Sequence, residues 1–243
     1  MSFSDIHTHI LYGADDGAKT RDDAFAMVKA SYESGTRLIC ATPHFHPGYF
    51  GDNREQILHS FEVLCEHCSK NYPDLKLFLG NELFYTYDSV SWVKNKLCLP
   101  MGSTEYMLVE FSVHSSDDEI AEGVDRLLNI GYIPIIAHAE RYGRLKCGRL
   151  AALRENGVLV QMNTEAVNGK RLGLGYNKRV KTLLTEGLVD FISSDAHDLT
   201  RRPPQMDKSF KILAEKYGLG YAERLCRTNA EKLFCREMTA EDI

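Results

Sequence analysis

Seven stretches of this 243-residue chain carry, at regular intervals, side chains able to hold a cation or move a proton. They read Asp5-Ile6-His7-Thr8-His9, Ala41-Thr42-Pro43-His44, Gly80-Asn81-Glu82-Leu83, Val109-Glu110-Phe111, Ala137-His138-Ala139-Glu140-Arg141, Gln161-Met162-Asn163 and Ser193-Ser194-Asp195-Ala196-His197. His7, His9, His44, Glu82, Glu110, His138, Asp195 and His197, with Asp16 from the Asp15-Asp16-Gly17 loop, make nine candidate ligands. Imidazole and carboxylate without thiolate suit Mn, Zn or Fe rather than a structural thiolate site. Nine donors exceed what one ion can hold, so two or three ions are expected, with carboxylates such as Glu110 bridging them. Adjacent cations suit phosphoryl-ester hydrolysis, because they clamp the attacking and leaving oxygens and generate hydroxide near neutral pH.

Each stretch closes a short apolar run: Ser4–His7, Leu38–Thr42, Leu75–Gly80, Met107–Phe111, Ile133–Ala137, Val158–Met162 and Asp190–Ser193. Continuous rather than alternating apolar runs suit strands covered on both faces of a parallel sheet. Between them lie amphipathic segments: Arg21–Ser34, Arg54–Lys70, Asp117–Asn129, Arg149–Glu155 and Asn177–Glu186. Gly35 is placed to cap the first, and Asp117 and Asp118 lie where they oppose a helix dipole. Successive polar ends recur about every 30 residues, the length of one βα unit. A single strand-end His is unremarkable, but recurrence at every successive end is not a product of packing alone. In a (β/α) barrel all these ends meet on one face, where such enzymes keep their chemistry. The pattern predicts an α/β protein of about seven βα units in one domain spanning residues 1–243, with the segment after Asp207 helical and closing the outer layer.

Composition narrows the choice. Lys and Arg number 29 against 34 Asp and Glu, a formal net charge of −5, which provides no basic face for general nucleic-acid binding. With 44% hydrophobic residues the chain is neither disordered nor low in complexity. No stretch approaches the apolar length of a membrane-spanning helix, and the N-terminal residues do not read as a signal peptide. Seven scattered Cys fit reduced thiols in a cytoplasmic protein.

The residues Asp5–Leu11, Asp15-Asp16-Gly17, Ala41–His44, Asn81-Glu82-Leu83, Val109-Glu110-Phe111, Ala137–Tyr142, Gln161–Asn163 and Ser194–His197 with Arg202-Pro203-Pro204 resemble the polymerase-and-histidinol-phosphatase (PHP) superfamily of metal-dependent phosphoesterases. Within it the chain is similar to bacterial tyrosine-protein phosphatases of capsule and exopolysaccharide loci, over nearly its whole length. The resemblance implies a distorted (β/α)7 TIM-like barrel with three divalent ions at the C-terminal ends of the strands. Manganese comes first among the ions, with iron, zinc and magnesium as alternatives. It assigns all nine candidates above as ligands, and Arg141 and Arg202 to the substrate phosphate. It also implies hydrolysis of phosphotyrosine by a metal-activated hydroxide, on a protein such as the tyrosine autokinase of polysaccharide export. Tyr12-Gly13-Ala14 departs from the family's common Pro-Gly-Val, which affects loop shape rather than the ligand set. The alternatives are a small-molecule phosphatase, such as one acting on histidinol phosphate, and a metal-binding regulatory protein.

Other signals are set aside. No Cys is followed six positions later by Arg, so thiolate catalysis lacks its usual partner. Cys65-Glu66-His67-Cys68 falls within a predicted helix and reads as packing. His46 and His114 match no ligand position but are placed to rim the site. The basic stretch from Gly169-Lys170-Arg171 to Lys181 reads as a solvated loop.

Overall fold

The computed structural model describes residues 2–51, 53–169 and 173–234. The elements run in the order β1 (Phe3–Thr8), α1 (Arg21–Glu33), β2 (Thr36–Ala41), β3 (His44–Phe45), α2 (Pro47–Phe50), α3 (Arg54–Asn71), β4 (Lys76–Leu79), β5 (Glu82–Phe84), α4 (Ser89–Lys94), β6 (Tyr106–Glu110) and α5 (Asp117–Leu128). They continue with β7 (Ile133–Ile136), α6 (Cys147–Glu155), β8 (Leu159–Asn163), α7 (Thr164–Val167), α8 (Leu174–Thr185), β9 (Phe191–Ser193), α9 (Met206–Tyr217), α10 (Leu219–Glu223) and α11 (Asn229–Phe234). Every pairing between these strands is parallel. β1, β2 and β4 form one sheet, and β3, β5, β6, β7, β8 and β9 form the other in that order. A parallel bridge joins Thr8 to Ala196, and Asp195 N donates to His7 O at 2.9 Å, so β1 also runs beside the end of β9.

The seven expected apolar runs all become strands, but two extended stretches are broken. Pro43, with no N–H, separates β2 from β3; Gly80 and Asn81 separate β4 from β5. Asn81 spans the second break, its amide donating to Pro43 O at 3.1 Å and its carbonyl accepting from Leu99 N at 2.8 Å. Both breaks lie immediately before a polar residue of the site, His44 and Glu82.

Side chains alternate between two apolar layers, as the pleat requires. Val109, Ile136, Val160, Met162 and Ile192 pack against the helices, while Leu108, Ile135, Ala137 and Phe191 join a second cluster with Ile6 and Cys40. Two of the helices begin at side-chain caps. Thr20 and Asp23 form a capping box on α1, and Ser116 and Glu119 form one on α5. The four-residue α2 and α7 and the six-residue α4 lack a periodic signal and were not expected.

The C-terminal segment is helical through Phe234, but it does more than extend the outer layer. Ala230 and Leu233 pack on the inner strand cluster, and Asn229 Nδ2 donates to Asp190 O at 2.8 Å. The expected helix beyond residue 234 and Cys235 lie outside the described residues. So do Lys170 and Arg171 of the basic stretch; of the remainder, Leu174–Thr185 is helix, not loop. Arg179 is turned inward, donating to Ala139 O and Leu145 O. No helix among the described residues is long and apolar enough to cross a membrane.

Candidate metal centre

His7 and Thr8 end β1 and His9 follows directly, and because residues two apart in extended chain share a face, both imidazoles turn to the same side. Their Nε2 atoms lie 3.2 Å apart. His44 begins β3 and Glu82 begins β5, directly paired in register, and Glu110 ends β6. His138 and Asp195 follow β7 and β9 in left-handed conformations, at φ of 33° and 52°. Such backbone costs roughly 1–3 kcal/mol in a non-glycine residue and persists where surrounding contacts enforce it. His138 N donates to Gln161 Oε1 and Asp195 N to His7 O, which hold both residues in place.

The nine expected residues are brought together. Glu82 Oε2 lies 3.2 Å from His7 Nε2, 3.3 Å from His9 Nε2 and 3.0 Å from His44 Nδ1. Its Oε1 lies 2.9 Å from His138 Nε2, which is 3.3 Å from Glu110 Oε1. Asp195 Oδ1 is 3.5 Å from His7 Nε2 and 3.4 Å from His9 Nε2. Asp16 Oδ1 is 3.2 Å from His197 Nε2 and 3.5 Å from His44 Nε2. Three overlapping sets of donor atoms emerge, each set within 4.8 Å: His9, Asp16, His44 and His197; His7, His9 and Asp195; His44, Glu82 and Glu110.

These residues fit a cation centre on structural grounds of their own. Glu82 Oε2 and His197 Nε2 are buried with no hydrogen-bond partner, despite the ring nitrogens and carboxylate oxygens around them. Unpaired buried polar atoms are costly, and here several converge with lone pairs facing a common space.

A second ring of residues fixes which nitrogen faces inward. Asp15 Oδ2 lies 2.7 Å from His9 Nδ1 and accepts from His44 N at 2.9 Å, while its Oδ1 accepts from Gly17 N at 2.9 Å. Gln161 Oε1, 3.3 Å from His7 Nδ1, accepts from His138 N at 2.7 Å. Its amide donates to Asn163 Oδ1 at 2.8 Å, and Asn163 Nδ2 donates to Asp195 Oδ2 at 2.7 Å. An acceptor at Nδ1 places the proton there and leaves Nε2 as the ligand atom. Gly17 has a steric reason to be glycine: a Cβ there would meet His9 O at 2.1 Å. The sequence pattern assigns no role to Asp15, Gly17 or Gln161; the one signal it carries for them is an amide inside the apolar run Val158–Met162.

Arg141 Nη2 binds Asp195 Oδ2 at 2.7 Å, and Arg141 Nε is buried without a partner. Arg202 reaches the same carboxylate through Nη1 at 3.7 Å and Asp16 through Nη2 at 3.5 Å. A cavity of about 460 Å³ beside Asp16 and His197 is lined also by Lys19, Leu199 and Arg201.

Charges follow this geometry. Burial works against ionised Glu82 and Asp195, but the imidazoles around them hold both well below the usual carboxylate range. Burial likewise opposes charge on His138, yet contacts with Glu110 and Glu82 raise it to about 9. Burial raises Asp15, but His9, His44 and the Gly17 amide together lower it to about 2. Cys40, Cys68, Cys98 and Cys226 are buried, and none is a candidate ligand. Cys65-Glu66-His67-Cys68 lies in α3 as packing, with the His67 ring stacked on Phe25 at 3.7 Å.

Comparison with known proteins agrees with this chemistry. The family described as "Capsular polysaccharide synthesis, CpsB/CapC" matches residues 3–235. Tyrosine-protein phosphatase CpsB of Streptococcus pneumoniae is 34% identical over 240 residues, spanning 96% of this chain and 99% of that protein. Tyrosine-protein phosphatase YwqE of Bacillus subtilis strain 168 is 28% identical over 224 residues, spanning 88% and 85%. A solved structure from work on YwqE and CpsB, described there as unique metal-dependent tyrosine phosphatases, superposes with a TM-score of 0.84 at 28% identity, covering 94% of this chain and 93% of that one. The phosphotriesterase homology protein of Escherichia coli, at 12% identity and a TM-score of 0.60, shares the fold alone.

Proposed function

This chain belongs to the CpsB/CapC family of capsular polysaccharide synthesis, and we infer that it is a metal-dependent protein-tyrosine phosphatase. The observation that carries the metal dependence is Glu82 Oε2, buried and without a hydrogen bond while three imidazoles surround it within 3.3 Å. His7, His9, Asp16, His44, Glu82, Glu110, His138, Asp195 and His197 hold the divalent ions. The three overlapping donor sets support three ions, with manganese first and iron, zinc or magnesium accepted by the same donors. When bound, such ions act as Lewis acids towards phosphoryl oxygens and lower the pKa of water.

The rest of the chemistry lies with the chain. Arg141, anchored through one nitrogen on Asp195, keeps Nε for a phosphoryl oxygen, and Arg202 approaches the same place from the loop after β9. Planar guanidinium donors match the oxygens of a phosphomonoester. Asp15 and Gln161 keep His9 and His7 with the proton on Nδ1, so neither imidazole turns as charge moves. A tyrosyl ester needs little help from a general acid, since its leaving phenolate has a pKa of about 10.

We read the strands as seven staves of a distorted (β/α)7 TIM-like barrel, with β2 and β3 forming one stave and β4 and β5 another. It is one domain over residues 1–243, with the centre at the C-terminal strand ends. The substrate is a phosphotyrosine protein of the cytoplasm, the tyrosine autokinase of polysaccharide export. Phosphate release from phosphotyrosyl peptides tests the activity: it should require added Mn²⁺, stop on chelation and vanish in His138→Ala. No turnover by folded, metal-loaded protein would overturn the reading.

A further inference from the structure

The same strand register that pairs His44 with Glu82 carries two rings to the next level of the mouth. Side chains two residues on share the face, so His46 follows His44 and Phe84 follows Glu82, while Phe45 and Leu83 between them turn into the core. His46 and Phe84 stack at 4.6 Å. Pro47 then opens the single turn of α2, whose Tyr49 and Phe50 amides both bond back to His46 O at 2.9 Å. The turn lays Phe50 on His44 at 5.3 Å with the planes 10° apart, and Tyr49 on His46 at 6.1 Å, also 10° apart. Tyr49 nevertheless leaves 77% of its surface exposed, and Phe50, Phe84 and His46 are each only partly covered.

Four rings thus stand at the rim of the donor cluster, on the side of β3 and β5, while Arg141 and Arg202 enter from the ends of β7 and β9. Rings that merely completed a core would be covered. These are held in order by hydrogen bonds and mutual stacking, yet present open edges and faces next to a site for a phosphoryl group. We propose that His46, Tyr49, Phe50 and Phe84 form an aryl-recognition lip that selects aromatic over alkyl phosphomonoesters. The lip takes the ring by offset or edge-to-face stacking while the phosphoryl group sits at the cluster. The proposal rests on the phosphatase reading, and it makes selection of the aromatic ester a property of this one strand pair and turn.

Binding of non-hydrolysable probes separates the lip from turnover. Metal-loaded protein should bind phenylphosphonate more tightly than methylphosphonate, and Tyr49→Ala and Phe84→Leu should each reduce that preference by about 3- to 10-fold. Tyr49→Phe, which keeps the ring, should retain it. Because Tyr49 is exposed, its removal does not disturb the core; Phe84→Leu is accepted only with an unchanged circular dichroism spectrum. An absent preference in the native protein, or one unchanged in both variants, overturns the lip. A preference that behaves as stated, without phosphate release from phosphotyrosyl peptides, supports the lip and overturns the catalytic reading instead.

Discussion

Asp15 Oδ2 sits 2.7 Å from His9 Nδ1, at the far side of the ring from the cluster that His9 Nε2 faces. One carboxylate therefore fixes the tautomer and rotation of an imidazole shared by two of the three donor sets. The same carboxylate receives His44 N and Gly17 N, so the loop after β1 and the start of β3 are tied at one atom pair. Losing it should loosen two imidazoles together.

Asp15→Asn is accordingly expected to weaken Mn²⁺ binding by about 10- to 100-fold, the usual effect of removing the partner of a metal-ligating His. Isothermal titration with Mn²⁺ measures it. Affinity within twofold of the native protein would show that Asp15 does not orient His9.

Gly17→Ala tests the close approach from the other side. The new Cβ would fall 2.1 Å from His9 O and 2.5 Å from His9 Cβ, so β1 or the loop must move. Overpacking of this kind costs about 1–3 kcal/mol. A lower urea midpoint together with weaker Mn²⁺ binding is the expected pair of changes. Native values for both would mean that the loop shifts freely.

Arg141→Lys keeps the charge but loses the fork. Lysine cannot hold Asp195 and present a second fixed donor, so kcat/KM for a phosphotyrosyl peptide should fall by about 10²-fold, comparable to loss of one oriented transition-state donor. Steady-state kinetics on metal-loaded protein decides this, and a change under threefold would remove Arg141 from phosphoryl binding.

Asp5 sets a pH dependence of stability. Burial raises its pKa from 3.8 to about 6, against hydrogen bonds from Ser194 and His7 that favour the carboxylate. Between these values the native state keeps a proton that the unfolded chain has released, so this group's contribution to stability falls as pH rises and levels off above 6. The full effect is about 3 kcal/mol at most. In metal-free protein, the stability difference between Asp5→Asn and native should grow in favour of the variant from pH 4 to pH 6.5, read from urea midpoints. A difference constant across that window would contradict the raised pKa.

Thiol chemistry should be irrelevant to turnover. Burial pushes Cys68 and Cys226 up to about 12 and raises Cys40 and Cys98 as well, leaving almost no thiolate at pH 8. Iodoacetamide at that pH is expected to leave phosphate release unchanged. Inactivation tracking the modification of one thiol would reinstate a cysteine mechanism.

The candidate donors were legible in the sequence because residue type is local. Each candidate except Asp16 sits at or just beyond an apolar run, and the runs repeat with the βα unit. His7, His44, Glu82, Glu110, His138 and Asp195 could therefore be placed at strand ends without knowing what they touch. The short turns α2, α4 and α7 could not, since so few residues show no period. Nor could the breaks at Pro43 and Gly80-Asn81 be recognised as leading into His44 and Glu82.

Orientation was decided only by the tertiary structure. His7 meets Gln161 154 positions away, and Asn163 meets Asp195 32 positions away; neither contact leaves a mark in the spacing of the chain. The left-handed turns at His138 and Asp195 are likewise held by distant carbonyls, Gln161 Oε1 and His7 O. Residue type and strand period determine which atoms can bind a cation. Which nitrogen faces it depends on hydrogen bonds formed only in the folded chain: for His9 one from the adjoining loop, and for His7 one from a strand far away in sequence, present only once the strands lie side by side.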